Sequence, residues 1–176
     1  MKRICVYCGS RDGDDPAFAA AAEAVGTGIA ARGMGLVYGA GDVGLMGRVA
    51  AAALAAGAPV TGVIPEHLKA REVDRSDLTE LVVVDTMHQR KMLMFERADS
   101  FVALPGGPGT LDELIELLTW RQLGLHDRPA HLLNLGGYWD PLVALIDNTI
   151  SRGFASPSFR EFLTVHGATE ALIEAL

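Results

Sequence analysis

The sequence predicts an α/β protein in which helices cover both faces of a mostly parallel, doubly wound sheet. Short β-branched runs alternate with longer helical patterns along the whole chain, which is typical of parallel sheets. Glycine-rich segments follow several predicted strands, and such folds bind ligands beyond the carboxyl ends of their strands. With 176 residues, 49% of them hydrophobic, the chain fits one compact core. We therefore expect a single Rossmann-like domain over residues 1–176.

The β-branched runs place seven strands, and the longer patterns between and after them place six helices. The predicted strands are 4–8, 35–38, 60–64, 81–84, 101–104, 131–135 and 162–165. The predicted helices are 16–32, 45–56, 87–97, 111–123, 138–152 and 169–176. No linker, low-complexity segment or internal repeat interrupts this order.

Composition excludes several classes of protein. A net charge of −7 argues against a broad nucleic-acid surface, which needs a basic face. The N-terminus lacks the apolar run of a signal peptide, and the apolar stretch 17–31 contains Glu23 and several glycines, so we expect no membrane span. Cys5 and Cys8 lie three apart on a predicted strand and face opposite sides. We expect two reduced thiols in a cytoplasmic protein, with neither a disulfide nor a zinc site.

Residues 39–44 match G-x-G-x-x-G between a strand and a helix. A dinucleotide site would have this motif after the first strand, with an acidic residue at a later strand end. Here it follows the second strand, and the nearest suitable acid, Glu66, lies just beyond a proline. Two interpretations stay open: glycines that permit tight helix–strand packing, or a mononucleotide or phosphate-proximal role.

A stronger signal is the turn PGGPGT, residues 105–110. Its amides, with the dipole of a helix that we expect to begin at Thr110, form an anion site without net positive charge. Pro108 removes one donor, and no G-K-[ST] follows, so triphosphate and Mg²⁺ chemistry is not expected. Glu113 has two interpretations here, because Thr110 and Glu113 also fit a capping box in which the glutamate only closes the helix start.

Two motifs together resemble those of the Lonely-guy family, which are cytokinin riboside 5′-monophosphate phosphoribohydrolases, many once mislabelled lysine decarboxylases. These are MHQRK at 87–91 and PGGPGTLDE at 105–113. The resemblance runs from about residue 4 to 145, with a departure at Ala40, where the family more often has glycine. Other similar segments follow the family order: CVYCGS, YGAGDVGLMG and IPEHLKAREV.

The resemblance implies a nucleotide-binding domain that hydrolyses the N-glycosidic bond of cytokinin riboside 5′-monophosphates or AMP, without a cofactor. It implies Arg90 and Glu113 as the catalytic pair and a homodimer with its site near the subunit interface. It also implies nucleotide contacts at Glu72, Arg90, Lys91, Gly107, Pro108, Gly109, Thr110, Leu111, Asp112, Glu113 and Thr119.

The chemistry of this pair suits such a reaction. Breaking C1′–N passes through a ribosyl cation-like state, which a carboxylate at Glu113 stabilises while it accepts a proton from water. Arg90 stays charged and is a poor general acid, so we expect it to orient Glu113 and the phosphoribosyl group. Without the resemblance, Arg90 and Arg97 would also fit a solvated basic stripe.

Three alternatives compete. Rossmann-like proteins that resemble molybdenum-cofactor carriers share the glycine turn without hydrolysis, and the Arg90–Glu113 pair distinguishes the hydrolases from them. An NAD(P) oxidoreductase would need a further substrate domain. A pyridoxal-phosphate decarboxylase would need a Schiff-base lysine, and only Lys2, Lys69 and Lys91 are present. The five histidines lack metal-binding spacing, so no metal is expected. The preferred base stays open.

Overall fold

The computed structural model describes residues 1–72 and 77–176, with side chains at 1–69 and 77–176. Its strands form one seven-stranded sheet in the order β4-β3-β2-β1-β5-β6-β7, with every described pairing parallel. The predicted doubly wound α/β fold is confirmed. The strands are β1 (Arg3–Tyr7), β2 (Gly35–Tyr38), β3 (Val60–Pro65), β4 (Glu80–Val84), β5 (Ser100–Ala103), β6 (Ala130–Leu133) and β7 (Thr164–His166).

Helices connect each strand to the next, as parallel pairing requires, and one more helix follows the last strand. Most boundaries agree with the sequence prediction within one or two residues, but the helix Glu66–Glu72 was not predicted, because a seven-residue helix carries too little periodicity. Two short 3₁₀ helices, Leu135–Gly137 and Pro157–Phe162, precede the helix Asp140–Ser151 and the strand β7. The helices are α1 (Pro16–Ala31), α2 (Gly44–Ala55), α3 (Glu66–Glu72), α4 (Met87–Glu96), α5 (Pro108–Gln122), α6 (Asp140–Ser151) and α7 (Thr169–Ala175).

The sheet order reverses between β1 and β5. From β1 to β4 each strand adds to one side, and β5 then pairs with the other side of β1. The turns after these two strands are therefore neighbours, and the amide of Gly9 donates to the carbonyl of Pro105 at 3.0 Å. Doubly wound sheets bind ligands in the crevice at such a switch point.

Each face of the sheet has its own apolar core. Cys8 belongs to the core beneath α1 and α2, whereas Cys5 belongs to the core beneath α4 and α5. Both are buried free thiols. The first pair of helices packs very closely, since a Cβ on Gly26 would lie 2.4 Å from the carbonyl oxygen of Val49. Within the described ranges, none of the helices has the length and hydropathy to cross a bilayer.

The edge of the sheet contains an acid-sensitive histidine pair. Nδ1 of His131 on β6 lies 3.0 Å from Nε2 of His166 on β7. Burial, with smaller effects of His166 and Lys2, lowers the pKa of His131 to about 4. Because this pKa lies below its ordinary value of 6.5, the unfolded chain binds the proton more tightly.

We therefore expect the free energy of unfolding to fall by roughly 1–3 kcal/mol as the pH drops from about 6.5 to 4. In thermal melts across this pH range, the melting temperature should fall less for His131→Gln than for the parent. His67→Gln, at an exposed position, is the matched control and should follow the parent. Equal pH dependence in all three proteins would contradict this assignment.

Candidate active site

A cavity of about 220 Å³ lies at the switch point. The turns after β1 and β5 form two of its walls, and α4 and α5 each contribute one charged side chain, Arg90 and Glu113. The predicted catalytic pair therefore shares one cavity. Its lining residues are Cys8, Gly9, Ser10, Met46, Arg90, Gly107, Pro108, Gly109, Thr110 and Glu113.

The start of α5 corrects one sequence-based interpretation. The helix begins at Pro108, with Gly107 as the N-cap and no side-chain capping hydrogen bond. Thr110, predicted as the first residue of the helix, is instead its third residue and is buried. The proposed Thr110–Glu113 capping box is therefore wrong. Proline suits this first position, because its fixed φ is helical and its missing N–H is not needed there.

The uncapped start of α5 has the features of an anion site. The first amides of a helix lack intrahelical acceptors, and Gly109 and Thr110 both line the cavity. A Cβ on Gly107 or on Gly109 would meet nothing within 4 Å among the described residues. Neither glycine is thus required by internal packing, and both leave room for a group to approach the backbone. A phosphate fits such a helix start.

The turn is held from behind by close backbone contacts. A Cβ on Gly106 would lie 2.1 Å from Oγ1 of Thr110 and 2.9 Å from the amide nitrogen of Gly9. The hydroxyl of Tyr138 donates to the Gly106 carbonyl at 2.6 Å. Gly106 is therefore a packing glycine, unlike Gly107 and Gly109.

Arg90 is a buried cation with fixed orientation. Its Nε donates to the carbonyl of Val63 at 3.1 Å and its Nη2 to that of Gly39 at 2.6 Å. Only 7% of the residue is exposed, so the interpretation as a solvated basic stripe is wrong. Helix α4 begins with a capping box between Thr86 and Gln89, which fixes the turn that carries Arg90.

Gly39, the first glycine of the motif after β2, leaves room for the side chain of Arg90. A Cβ on Gly39 would lie 1.9 Å from Nη2 of Arg90, and a Cβ on Gly44, at φ +63°, would lie 2.3 Å from the backbone of Arg11. Ala40, where the resemblance expects glycine, has a φ of 60°. This left-handed conformation favours glycine, which explains why the family more often has glycine at this position. Gly39 thus permits the close approach of Arg90, and Gly44 permits that of the turn after β1.

Glu113 is a carboxyl group in a low-dielectric site. Burial raises its pKa from the ordinary 4.5 to about 7, and the guanidinium of Arg90 opposes that rise. Both the neutral and the ionised form of Glu113 are then accessible near neutral pH. A group poised in this way can accept a proton or stabilise a neighbouring positive charge.

Comparisons with known proteins decide the family. The family model described as "Possible lysine decarboxylase" matches residues 46–176. A cytokinin riboside 5′-monophosphate phosphoribohydrolase of Arabidopsis thaliana is 44% identical over 176 residues, covering 100% of this chain and 83% of its own. The chain belongs to the Lonely-guy family. A relative from Oryza sativa subsp. japonica, named as a probable enzyme of the same kind, is 45% identical over 100% of this chain and 72% of its own.

Solved structures share the fold of this Lonely-guy chain at lower identity. The molybdenum cofactor binding protein from Rippkaea orientalis superposes with a TM-score of 0.75 at 22% identity, covering 99% of this chain and 95% of that chain. The molybdenum cofactor carrier protein from Chlamydomonas reinhardtii gives 0.73 at 21% identity, covering 99% and 96%. At these identities the likeness concerns the fold alone.

The other residues that the Lonely-guy resemblance implicates differ in burial and in the contacts they make. Lys91 is buried and forms ion pairs with α5, and Asp112 is one of its partners. Leu111 and Thr119 are exposed, and the Thr119 hydroxyl donates to the carbonyl of Ile115 within its own helix. The side chain of Glu72 lies outside the described residues. The part of the chain that the structure describes contains no cluster of three or more potential metal ligands.

Cys8, Ser10 and Met46 complete the cavity; Cys8 was expected only as a reduced thiol, and Ser10 and Met46 were not predicted. The available signal was the CGS segment directly after β1, because the first strand borders the switch point in doubly wound sheets. A second cavity of about 440 Å³ adjoins the first and includes the rings of Phe18 and Tyr138. The two cavities share Gly9, Ser10, Gly107 and Pro108.

Proposed function

We propose that this chain hydrolyses the N-glycosidic bond of a nucleoside 5′-monophosphate, either AMP or a cytokinin riboside 5′-monophosphate, to free base and ribose 5-phosphate. The supporting observation is one cavity that holds the uncapped start of α5, the buried guanidinium of Arg90 and the carboxyl group of Glu113. The Arabidopsis relative is named for this activity. Arg90 and Glu113 are the proposed catalytic residues.

The proposed mechanism places the 5′-phosphate on the amides of Gly109 and Thr110, which brings C1′ of the ribose towards Glu113 in the next turn. The C1′–N bond breaks with its electron pair going to the base. The carboxylate of Glu113 stabilises the developing ribosyl cation and takes a proton from the attacking water. Water supplies the hydroxyl at C1′ and, in net, the proton on the released base. The positive charge of Arg90 stabilises the ionised form of Glu113 and orients it.

Because the 5′-phosphate is proposed to bind at the start of α5, efficient cleavage should require a substrate that carries it. We expect kcat/KM for adenosine to be at least about 100-fold lower than for AMP, because phosphate binding also orients the reacting ribose. Chromatography of the free adenine released from each substrate measures the ratio. Equal kcat/KM values would refute the phosphate site. Isopentenyladenosine monophosphate in the same assay determines which base is preferred.

We further propose that the chain forms a homodimer through the outer faces of α4 and α5. Met94, Leu114, Leu117 and Leu118 of these helices lie inside the protein's own core and are not available for an interface. The exposed apolar side chains on these helices are Met87, Met92, Leu111 and Ile115, at 36%, 44%, 36% and 40% exposure. Scattered single apolar residues are normal on a protein surface, whereas a group of this size on two helices supports a subunit interface.

Light scattering at micromolar concentration should give a mass of about twice 18.7 kDa. Ile115→Asp should reduce the mass to that of a monomer, because a carboxylate would be buried without a partner. Leu145→Asp, at a more exposed position on α6 (59% against 40% for Ile115), should leave the dimer intact. A fully active parent monomer would contradict this interface.

The remaining parts of the proposal concern organisation and location. Residues 1–176 form one nucleotide-binding domain, supported by the single sheet across which both cores pack. A cytoplasmic location is part of the proposal, and both buried thiols would stay reduced there. The alternative is a nucleotide or molybdenum-cofactor carrier without hydrolase activity. Release of free base from AMP or isopentenyladenosine monophosphate by the purified protein distinguishes the two.

A further inference from the structure

Lys91, the residue after Arg90 on α4, is held by two carboxylates of α5. Its Nζ lies 3.0 Å from Oδ2 of Asp112 and 3.0 Å from Oε2 of Glu116. The lysine side chain is 11% exposed, Glu116 is 27% exposed and Asp112 is 59% exposed, so solvent screens the pair with Glu116 less than the pair with Asp112. The two acids are four residues apart, and the helical turn that they bound carries Glu113. The ammonium therefore joins α4 to the turn of α5 that holds the proposed catalytic carboxylate.

We infer that Lys91 is a positioning residue that clamps α4 against α5, so that Arg90 and Glu113 face the same cavity. The inference rests on the proposed hydrolase function and refines it, because the family resemblance gives Lys91 a contact with the nucleotide. Asp112 and Glu116 account for two of the three N–H donors of the ammonium, and Lys91 does not line the cavity that holds Arg90 and Glu113. Its proposed action on the substrate is therefore through α5 and its glutamate.

The charges around Glu113 give this clamp a measurable signature. Arg90 and Lys91 approach from α4, and Asp112 and Glu116 lie on α5 itself; the first two lower the pKa of Glu113 and the last two raise it. The ionisable groups that face it from β1 and the following turn are Cys5, Tyr7 and Cys8. Removal of the lysine charge leaves both neighbouring acids unbalanced, so the pKa of Glu113 rises.

The test compares Lys91→Met with the charge-conserving control Lys91→Arg in the full chain, with AMP as substrate. We expect Lys91→Met to lower kcat at pH 7 by roughly 10- to 100-fold, the usual effect of removing a group that orients a catalytic residue. KM should change by less than about threefold, since no substrate contact is lost. The midpoint of the kcat–pH profile should move to higher pH. Lys91→Arg should recover most of kcat and the parent midpoint.

A second measurement needs no substrate. Carboxyl ¹³C NMR of the full chain, with Glu113→Gln to identify the resonance, follows the titration of Glu113 directly. Its midpoint should rise in Lys91→Met and fall in Glu116→Gln, which removes a negative neighbour and conserves side-chain size. Glu116→Gln also keeps the inference testable if Lys91→Met does not fold.

Three results would overturn the clamp: a raised KM with unchanged kcat and midpoint in Lys91→Met, which indicates direct nucleotide binding; a Glu113 titration that neither variant moves; or full kcat in Lys91→Met. Failure of the proposed function looks different. If the parent releases no base from AMP or isopentenyladenosine monophosphate, the hydrolase proposal fails, and the NMR titrations still decide whether Lys91 controls Glu113.

Discussion

Glu113→Gln is expected to lower kcat for AMP by roughly two to four orders of magnitude, the usual loss for a general base or a charge that stabilises the transition state. Glutamine conserves size and polarity but has no negative charge and no basic oxygen. Because α5 begins at Pro108 and Glu113 lies beyond its first turn, the change removes no helix cap. Release of free adenine, followed by chromatography, gives the rate.

The melting temperature of the same variant is an internal control, and the direction of its change follows from the pKa of Glu113. The pKa of Glu113 is raised to about 7 in the folded chain, so folding favours the neutral carboxyl group. The stability that this group contributes is present below about pH 4.5 and is lost as the pH rises through 7. At pH 8 the Gln variant should therefore melt at or above the temperature of the parent. A folded variant that retains more than about a third of the parent rate, far above the expected loss, would disprove the catalytic role.

Gly39→Ala is expected to reduce kcat by about 100-fold, the scale of a small misplacement in an active site, although residue 39 does not line the catalytic cavity. The new Cβ would lie 1.9 Å from Nη2 of Arg90. The guanidinium must then move and lose its 2.6 Å hydrogen bond to the Gly39 carbonyl. Because the guanidinium is buried and loses this hydrogen bond, we also expect the free energy of unfolding to fall by roughly 1–3 kcal/mol. Steady-state kinetics with AMP and a thermal melt measure the two effects.

Gly167→Ala is the matched control, because a Cβ there meets nothing within 4 Å among the described residues. It should retain parent kinetics and stability. If Gly39→Ala also kept full activity, Arg90 would not need its observed orientation, and its place in the catalytic pair would be wrong. A large loss of stability with unchanged kcat per folded molecule would lead to the same conclusion.

Local sequence patterns were sufficient for the fold class and for the glycine turn. The alternation of β-branched and helical segments reflects strands buried on both faces, and each pattern is complete within its own element. The turn at 105–110 was predictable because its glycines and the following helix are contiguous in the chain. Local patterns failed at the start of α5, where Thr110 and Glu113 fit a capping box that Pro108 and Gly107 replace. Both starts fit the local sequence, and the helix begins at the earlier one, Pro108.

By itself, the sequence determined that this is a doubly wound α/β protein with a glycine-rich turn before α5, and its motifs named Arg90 and Glu113. Only the tertiary structure decided why they form a pair. Arg90 is bound by carbonyls 27 and 51 residues away, at the ends of strands whose order no local pattern records. The burial that raises the pKa of Glu113 and the ion pairs that occupy Lys91 likewise arise only when α4 and α5 pack together. Long-range contacts set the environment of each group, and that environment sets its chemistry.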